Sequence, residues 1–210
     1  GTPKMAFWDV LAPAPEASGG TPRLMPYEEG IGIVKRALGR VSPEMTAFVE
    51  MMLENRWIDA RPSDKKVGGA FYSRFNEFRI PRVFSTYLGS ITSVLQQGHE
   101  LGHAFHYWKM RDLPMIETEF PMTLTETAST FNEAVIRRVR LEEAEGAERF
   151  KMLWQDVRSA GNFLVNTMVR MDFELAFLEE RRRGVVPAGR CCELMREVWT
   201  RWYGDDVTPD

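Results

Sequence analysis

Apolar positions recur at helical spacing over most of this chain. Residues 27–38 and 43–55 carry them three and four apart, and Ser42 ahead of Pro43 supplies an N-cap and a first-turn proline for the second helix. Between residues 66 and 87 the pattern turns Gly-rich and β-prone, which predicts a hairpin with strands near 69–72 and 82–87. Helical periodicity returns at 91–110 and runs on through about 123–145, 147–183 and 187–203, with Gly184 and Gly204 as stops. Residues 1–26, rich in Pro, Gly and Ala, read as an irregular lead-in over the surface. The fold class expected is mainly α (α+β): one domain over residues 1–210, with a small β-hairpin or sheet beside the 91–110 helix.

Chemistry concentrates on that helix. All three histidines of the chain fall within residues 99–106, and His99-Glu100-Leu101-Gly102-His103 is an H-E-x-x-H motif. At about 100° per residue His99 and His103 share one face one turn apart, so both imidazoles reach a single Zn²⁺. Glu100 lies beside them, placed to act as a base on water at the metal. His106 stands about 10 Å along the axis from His99, too far to join the same tetrahedral ion. It is read as a packed histidine or as an outer neighbour of the ligands. A third ligand must come from elsewhere, and the acidic candidates are Glu117, Glu119, Glu126 and Glu133. Glu126 and Glu133 lie seven apart on the next helix, so packing of the two helices can put Glu126 on the metal and Glu133 behind it, bonded to a ligand histidine. Glu117 and Glu119 sit between Pro114 and Pro121 and are expected to face solvent. Cys191 and Cys192 are adjacent and remote on an amphipathic stretch, and read as structural.

Taken together, Trp57-Ile58-Asp59-Ala60, Gly68-Gly69-Ala70-Phe71, the run from His99 to His106, and residues 123–133 resemble, in order and spacing, the catalytic core of oligoendopeptidase F. That family belongs with the thimet-oligopeptidase group of zinc peptidases. Weaker echoes at residues 6–13, at Phe173-Glu174 and at residues 180–184 extend the resemblance over nearly the whole chain. It implies one Zn²⁺ per chain held by His99, His103 and Glu126, with Glu100 as general base and Glu133 as an acidic neighbour. It also implies a helical, zincin-like chamber that cleaves short peptides, with Gly68 to Ser73 in a small sheet near the substrate backbone.

The sequence departs from the family in two places. Gln96-Gln97-Gly98 replaces the usual Thr-Leu-Ala before the motif. Family members also stabilise the tetrahedral intermediate with a histidine and tyrosines downstream, whereas here no histidine follows His106 and the one tyrosine after Tyr107 is Tyr203. The expectation is therefore a catalytic-core portion of a longer peptidase. Its functional reading is a zinc-dependent endopeptidase; the alternative is a catalytically impaired, metal-bound peptide-binding core. A purely structural zinc site fits least, because it would leave Glu100 beside an open position without a purpose.

Composition narrows the partners. A net charge of −3 gives no reason to expect nucleic acid, and no apolar run approaches the roughly 18 residues of a membrane span. Two neighbouring cysteines cannot build a disulfide framework, which fits a reducing cytoplasm. Met152, Trp154, Met168, Met171, Trp199 and Trp202 read as core residues, some of them exposed where further regions would pack, so self-association is expected. An edge strand such as 82–87 is expected to hold substrate by backbone pairing.

Overall fold

A computed structural model describes residues 4–10, 12 and 24–208. In chain order they form β1 (Met5–Ala6), α1 (Tyr27–Gly39), α2 (Pro43–Glu54), β2 (Ile58–Asp59), β3 (Ala70–Phe75), β4 (Ile80–Ser85) and α3 (Ile91–Met110). They continue as α4 (Met122–Thr125), α5 (Thr127–Glu143), α6 (Gly146–Gly161), α7 (Thr167–Arg181), α8 (Ala188–Tyr203) and β5 (Val207–Thr208). The mainly α expectation with a small sheet holds. The chain divides into two compact units, one within residues 24–144 and the other formed by the described residues before 20 and after 144.

In the first unit α3 runs through the middle. Ser90 caps it, its hydroxyl accepting from the Ser93 N–H at 3.1 Å, and the helix spans the range that the apolar spacing predicts. Val94, Leu95, Leu101 and Ala104 of α3 join a core with Val34 and Leu38 of α1, Val49 and Met52 of α2, and Val83 of β4. As expected, Ser42 caps α2 with Pro43 in its first turn, the Ser42 hydroxyl accepting from the Glu44 N–H at 3.2 Å.

The sheet has the order β2-β4-β3. β3 and β4 are antiparallel with Tyr72 opposite Val83, and the short β2 adds in parallel with Ile58 opposite Val83. Residues 80–85 are therefore the central strand, not an edge, and the edge role expected of 82–87 is corrected: β2 covers one side of β4, leaving β3 as the strand beside α3. Lys66 explains why the loop between β2 and β3 stays close. Its nearly buried ammonium donates to the carbonyls of Asp59, Arg61 and Ser85 at 2.7–3.1 Å and pairs with the Asp59 carboxylate at 3.2 Å.

α5 crosses α3 at very short range. A Cβ on Gly102 would lie 2.6 Å from the Ala128 carbonyl oxygen, and one on Gly98 would lie 2.1 Å from the Ile136 side chain. The helix expected over 123–145 is broken at Glu126, whose φ of −88° and ψ of 1° fall between α4 and α5. The Thr130 hydroxyl donates to the Glu126 carbonyl at 2.5 Å and the Thr130 backbone N–H does so at 3.0 Å, so the oxygen is satisfied where the helix restarts.

In the second unit, Val169, Val198, Trp199 and Val207 make a small core. β1 and β5 pair in parallel, Met5 opposite Val207, so part of the expected irregular lead-in is an ordered strand held by the last described residues. The rest of that lead-in lies largely outside the described residues. The helix expected over 147–183 follows one winding path that loosens into a π-helical turn at Asn162–Asn166, where the Thr167 hydroxyl reaches the Asn162 carbonyl at 3.1 Å. Gly204 ends α8 with φ of +59°. Of the side chains read as core, Met152 and Trp199 are buried, while Trp154, Met171 and Trp202 are exposed, with Val157 and Leu164 still more so. The two cysteines are free, Cys192 exposed and Cys191 half-buried.

The α3–α5 approach makes a specific demand. Gly102→Ala is expected to lower unfolding stability by about 1–3 kcal/mol through overpacking against α5 backbone, read as a reduced urea midpoint. Gly32→Ala in α1, whose Cβ would make only an ordinary contact at 3.7 Å, should leave the midpoint unchanged or raise it.

Candidate metal centre

α3 presents His99, Glu100 and His103 to a cleft of about 360 Å³ that β3 and the 118–126 segment close from the sides. Because α5 lies so near, its first residues meet the two histidines. Glu126 Oε2 lies 3.1 Å from His99 Nε2 and 3.3 Å from His103 Nε2, and the two nitrogens are 3.2 Å apart. A tetrahedral ion with bonds of about 2.0–2.2 Å separates its ligand atoms by roughly 3.3–3.6 Å, and these edges of 3.1–3.3 Å lie at or just below the short end of that range. Among the described residues, His99, His103 and Glu126 form the one group of His, Cys, Asp and Glu side chains with atoms close enough to share a metal. Glu117 and Glu119 stand outside it: Glu117 is exposed, and the largely exposed Glu119 pairs with Arg74.

Both imidazoles are oriented from behind. Glu133 Oε1 accepts from His99 Nδ1 at 2.7 Å; a carboxylate only accepts, so Nδ1 carries a proton and Nε2 is the nitrogen turned into the triangle. The His103 ring donates to the Thr125 backbone carbonyl. His106 lies further along the same face, its ring stacked on Phe120 with centroids 4.7 Å apart, where it lines the cleft. Tyr72 of β3 stacks beside His103 at 6.0 Å, and its backbone N–H donates to the Glu100 carboxylate.

The electrostatics follow from two imidazoles set among three carboxylates. Burial pushes the Glu100 carboxyl up, aided by Glu126 and Glu133 and opposed by His99 and the Tyr72 N–H. Burial pulls His99 down, but its bond to Glu133 and the charges of Glu100, Glu133 and Glu126 outweigh that and leave it raised. For Glu133 burial acts upward and is overcome by the His99 bond and by Arg137, so its carboxyl is held below the usual range. Burial dominates at His103 and lowers it, against Glu126.

Four contributions escaped the sequence reading: the Tyr72 N–H, the Thr125 carbonyl, the Ser129 hydroxyl on Glu126 and the Asn132 amide on Gly98. The first two are backbone groups and leave no residue signal. Ser129 and Asn132 lie three and six residues after Glu126, on the α5 side that a helical wheel turns toward α3.

Residues 41–210 match the model of peptidase family M3. The chain belongs to this family. Metal dependence is general among M3 peptidases, and among the described residues His99, His103 and Glu126 are the group whose atoms could hold an ion. The chain is 28% identical over 134 residues to the chromosomal oligoendopeptidase F of Lactococcus lactis subsp. cremoris, covering 62% of this chain and 22% of that protein. It is also 28% identical over 120 residues to oligopeptidase PepF of Bacillus subtilis (strain 168), covering 57% of this chain and 18% of that protein. This M3 chain thus spans about a fifth of the length of these relatives. In fold it is similar to a protein classed as oligoendopeptidase F from Bacillus anthracis str. Ames, with a TM-score of 0.77 and 20% identity over 96% of this chain and 36% of that one. PZ peptidase A gives a TM-score of 0.72 at 20% identity, over 90% of this chain and 33% of that one.

Asn132 links the fold of this M3 core to its site. Its side-chain amide donates to the Gly98 carbonyl at 3.1 Å, fully buried between α3 and α5. Asn132→Ala should cost about 0.5–1.5 kcal/mol by removing that buried bond, measured by denaturant unfolding of the metal-free chain.

Proposed function

We propose that this chain is the catalytic core of a longer zinc-dependent oligopeptidase that hydrolyses short peptides in the cytoplasm. The observation that carries this reading is the triangle of His99 Nε2, His103 Nε2 and Glu126 Oε2, with edges of 3.1–3.3 Å beside the buried Glu100. In this reading His99, His103 and Glu126 hold one Zn²⁺, Glu133 orients His99, and His106 with Phe120 forms the adjoining wall. When bound, Zn²⁺ supplies a Lewis acid that polarises the scissile carbonyl and lowers the pKa of water at the open fourth position toward about 7. Glu100 takes a proton from the attacking water as oxygen bonds to the carbonyl carbon. It then passes that proton to the leaving nitrogen as the C–N bond breaks, so one water adds across the peptide bond. The Tyr72 N–H favours the ionised form of Glu100, the form that takes the proton.

Substrate backbone is assigned to the exposed edge of β3. In an antiparallel pair alternate residues direct their N–H and C=O groups outward. Tyr72 uses its N–H on Glu100, and Ala70, two residues back on the same edge and lining the cleft, offers the next outward pair. Main-chain pairing of this kind selects for extended backbone more than for sequence.

The second reading is a metal-bound peptide-binding core with impaired turnover. It is favoured by the cleft wall, which among the described residues contains no lysine or arginine to stabilise a developing oxyanion.

Elemental analysis of the purified chain, with a quenched fluorescent peptide assayed on the same samples, separates these readings. The wild type should carry about one zinc, and zinc at a hundredfold its Kd should stabilise it by about 2.7 kcal/mol. Glu126→Ala should lose most of both. Glu100→Gln should keep the zinc and lose at least about a hundredfold in activity. Zinc without peptide cleavage in the wild type selects the binding core; metal retained unchanged by Glu126→Ala breaks the ligand assignment.

A further inference from the structure

The carboxylates around the histidines are themselves held in place, each from one turn further along α5. Ser129 is fully buried, and its hydroxyl donates to Glu126 Oε2 at 2.7 Å, the oxygen that faces both histidine nitrogens at 3.1 and 3.3 Å. The Glu126 side chain is 58% exposed, so packing does not fix its rotamer. A hydroxyl has one proton to donate, and its shorter contact is to the carboxylate rather than to the Glu126 carbonyl at 3.0 Å. Arg137 repeats the arrangement behind the other ligand. Its Nη2 donates to Glu133 Oε2 at 2.8 Å while Glu133 Oε1 accepts from His99. Both side chains of this ion pair are about one-fifth exposed, and the pair leaves Glu133 with one oxygen directed at His99.

We infer that Ser129 and Arg137 are positioning residues that set metal affinity, Ser129 by fixing the Glu126 oxygen and Arg137 by fixing the Glu133 carboxylate that orients His99. This rests on the reading of His99, His103 and Glu126 as ligands. Neither residue touches the ion. Each removes rotational freedom from a carboxylate whose direction decides whether three lone pairs converge, and outer partners of this kind typically matter 10–100-fold in affinity. Ser129 has a second constraint: its Cα would lie 2.7 Å from a Cβ on Gly102, so the backbone that delivers the hydroxyl is pinned by the helix crossing.

The test is Co²⁺ titration of the wild-type chain, Ser129→Ala, Arg137→Gln and Arg137→Lys, followed by visible absorption, with Zn²⁺ affinity from competition against a chromophoric chelator. Ser129→Ala and Arg137→Gln should each weaken binding on the order of 10–100-fold, with a changed Co²⁺ ligand-field spectrum in Ser129→Ala and metal-free melting close to wild type. Arg137→Lys, which retains a cationic donor, should recover much of the loss. Affinities and spectra equal to wild type would overturn the inference alone. So would losses that track a fall in metal-free melting and are not rescued by lysine, because they mark a merely structural role. Absence of Co²⁺ and Zn²⁺ binding in the wild type would overturn the ligand assignment, and this inference with it.

Discussion

The close crossing of α3 and α5 is the contact on which the candidate site depends. No side chain fits between Gly102 and the Ala128–Ser129 backbone, or between Gly98 and Ile136. Gly102 therefore lets α5 approach backbone to backbone, Gly98 one turn away makes room for the Ile136 side chain, and Asn132 closes the seam with a buried bond to the Gly98 carbonyl. That distance decides the chemistry. Glu126, just before α5, and Glu133 on it flank the contact, and at this separation Glu126 reaches both imidazoles and Glu133 reaches His99. A helix pair spaced by ordinary core residues, with axes about 8–10 Å apart, would leave the carboxylates facing water.

Within the site, charge is arranged with a deficit. Glu100, Glu126 and Glu133 surround two imidazoles, and Arg137 faces Glu133 from outside the triangle. Partly buried carboxylates without compensation are costly, which the upward push on Glu100 and the raised His99 both express. A divalent cation at the convergence of the three ligand atoms relieves both effects at once. Glu133 is exempt from the deficit because Arg137 and His99 already hold its two oxygens.

What could be read in the sequence and what could not divide along physical lines. α3 was fully legible: its apolar period, the i, i+4 histidines and its length depend on local spacing alone. The pairing of Glu126 and Glu133 with that helix was legible as a possibility through their separation of seven, which puts both on one face. Three features needed coordinates. The break at Glu126 is a change of backbone angle at a single residue, and a periodic pattern reads straight through it. The sheet order was misread because β2 is two residues long and carries no alternation to count, yet its pairing turns residues 80–85 into the central strand. The strand β1 was hidden in a Pro- and Gly-rich lead-in, since its partner lies some two hundred residues away and such distant pairing leaves no local trace.

The corrected sheet order joins the base to the substrate. With β4 in the centre, β3 is the strand that faces α3, and Tyr72 reaches two groups from one position: its N–H holds Glu100, and its ring lies against His103. Strand register has a period of two, so a slip of one residue would turn Tyr72 away and bring Phe71 or Ser73 to the helix. The register is fixed against such a slip by Phe71 stacked on Phe84 at 4.8 Å on one face. Arg74 fixes it on the other, bonding to Thr118 and pairing with Glu119 beyond the cleft. β3 is thereby locked to the helix that carries Glu100. Under the proposed function, a peptide paired with β3 would inherit that alignment, and its distance from Glu100 would be set by backbone geometry and not by the identity of its side chains.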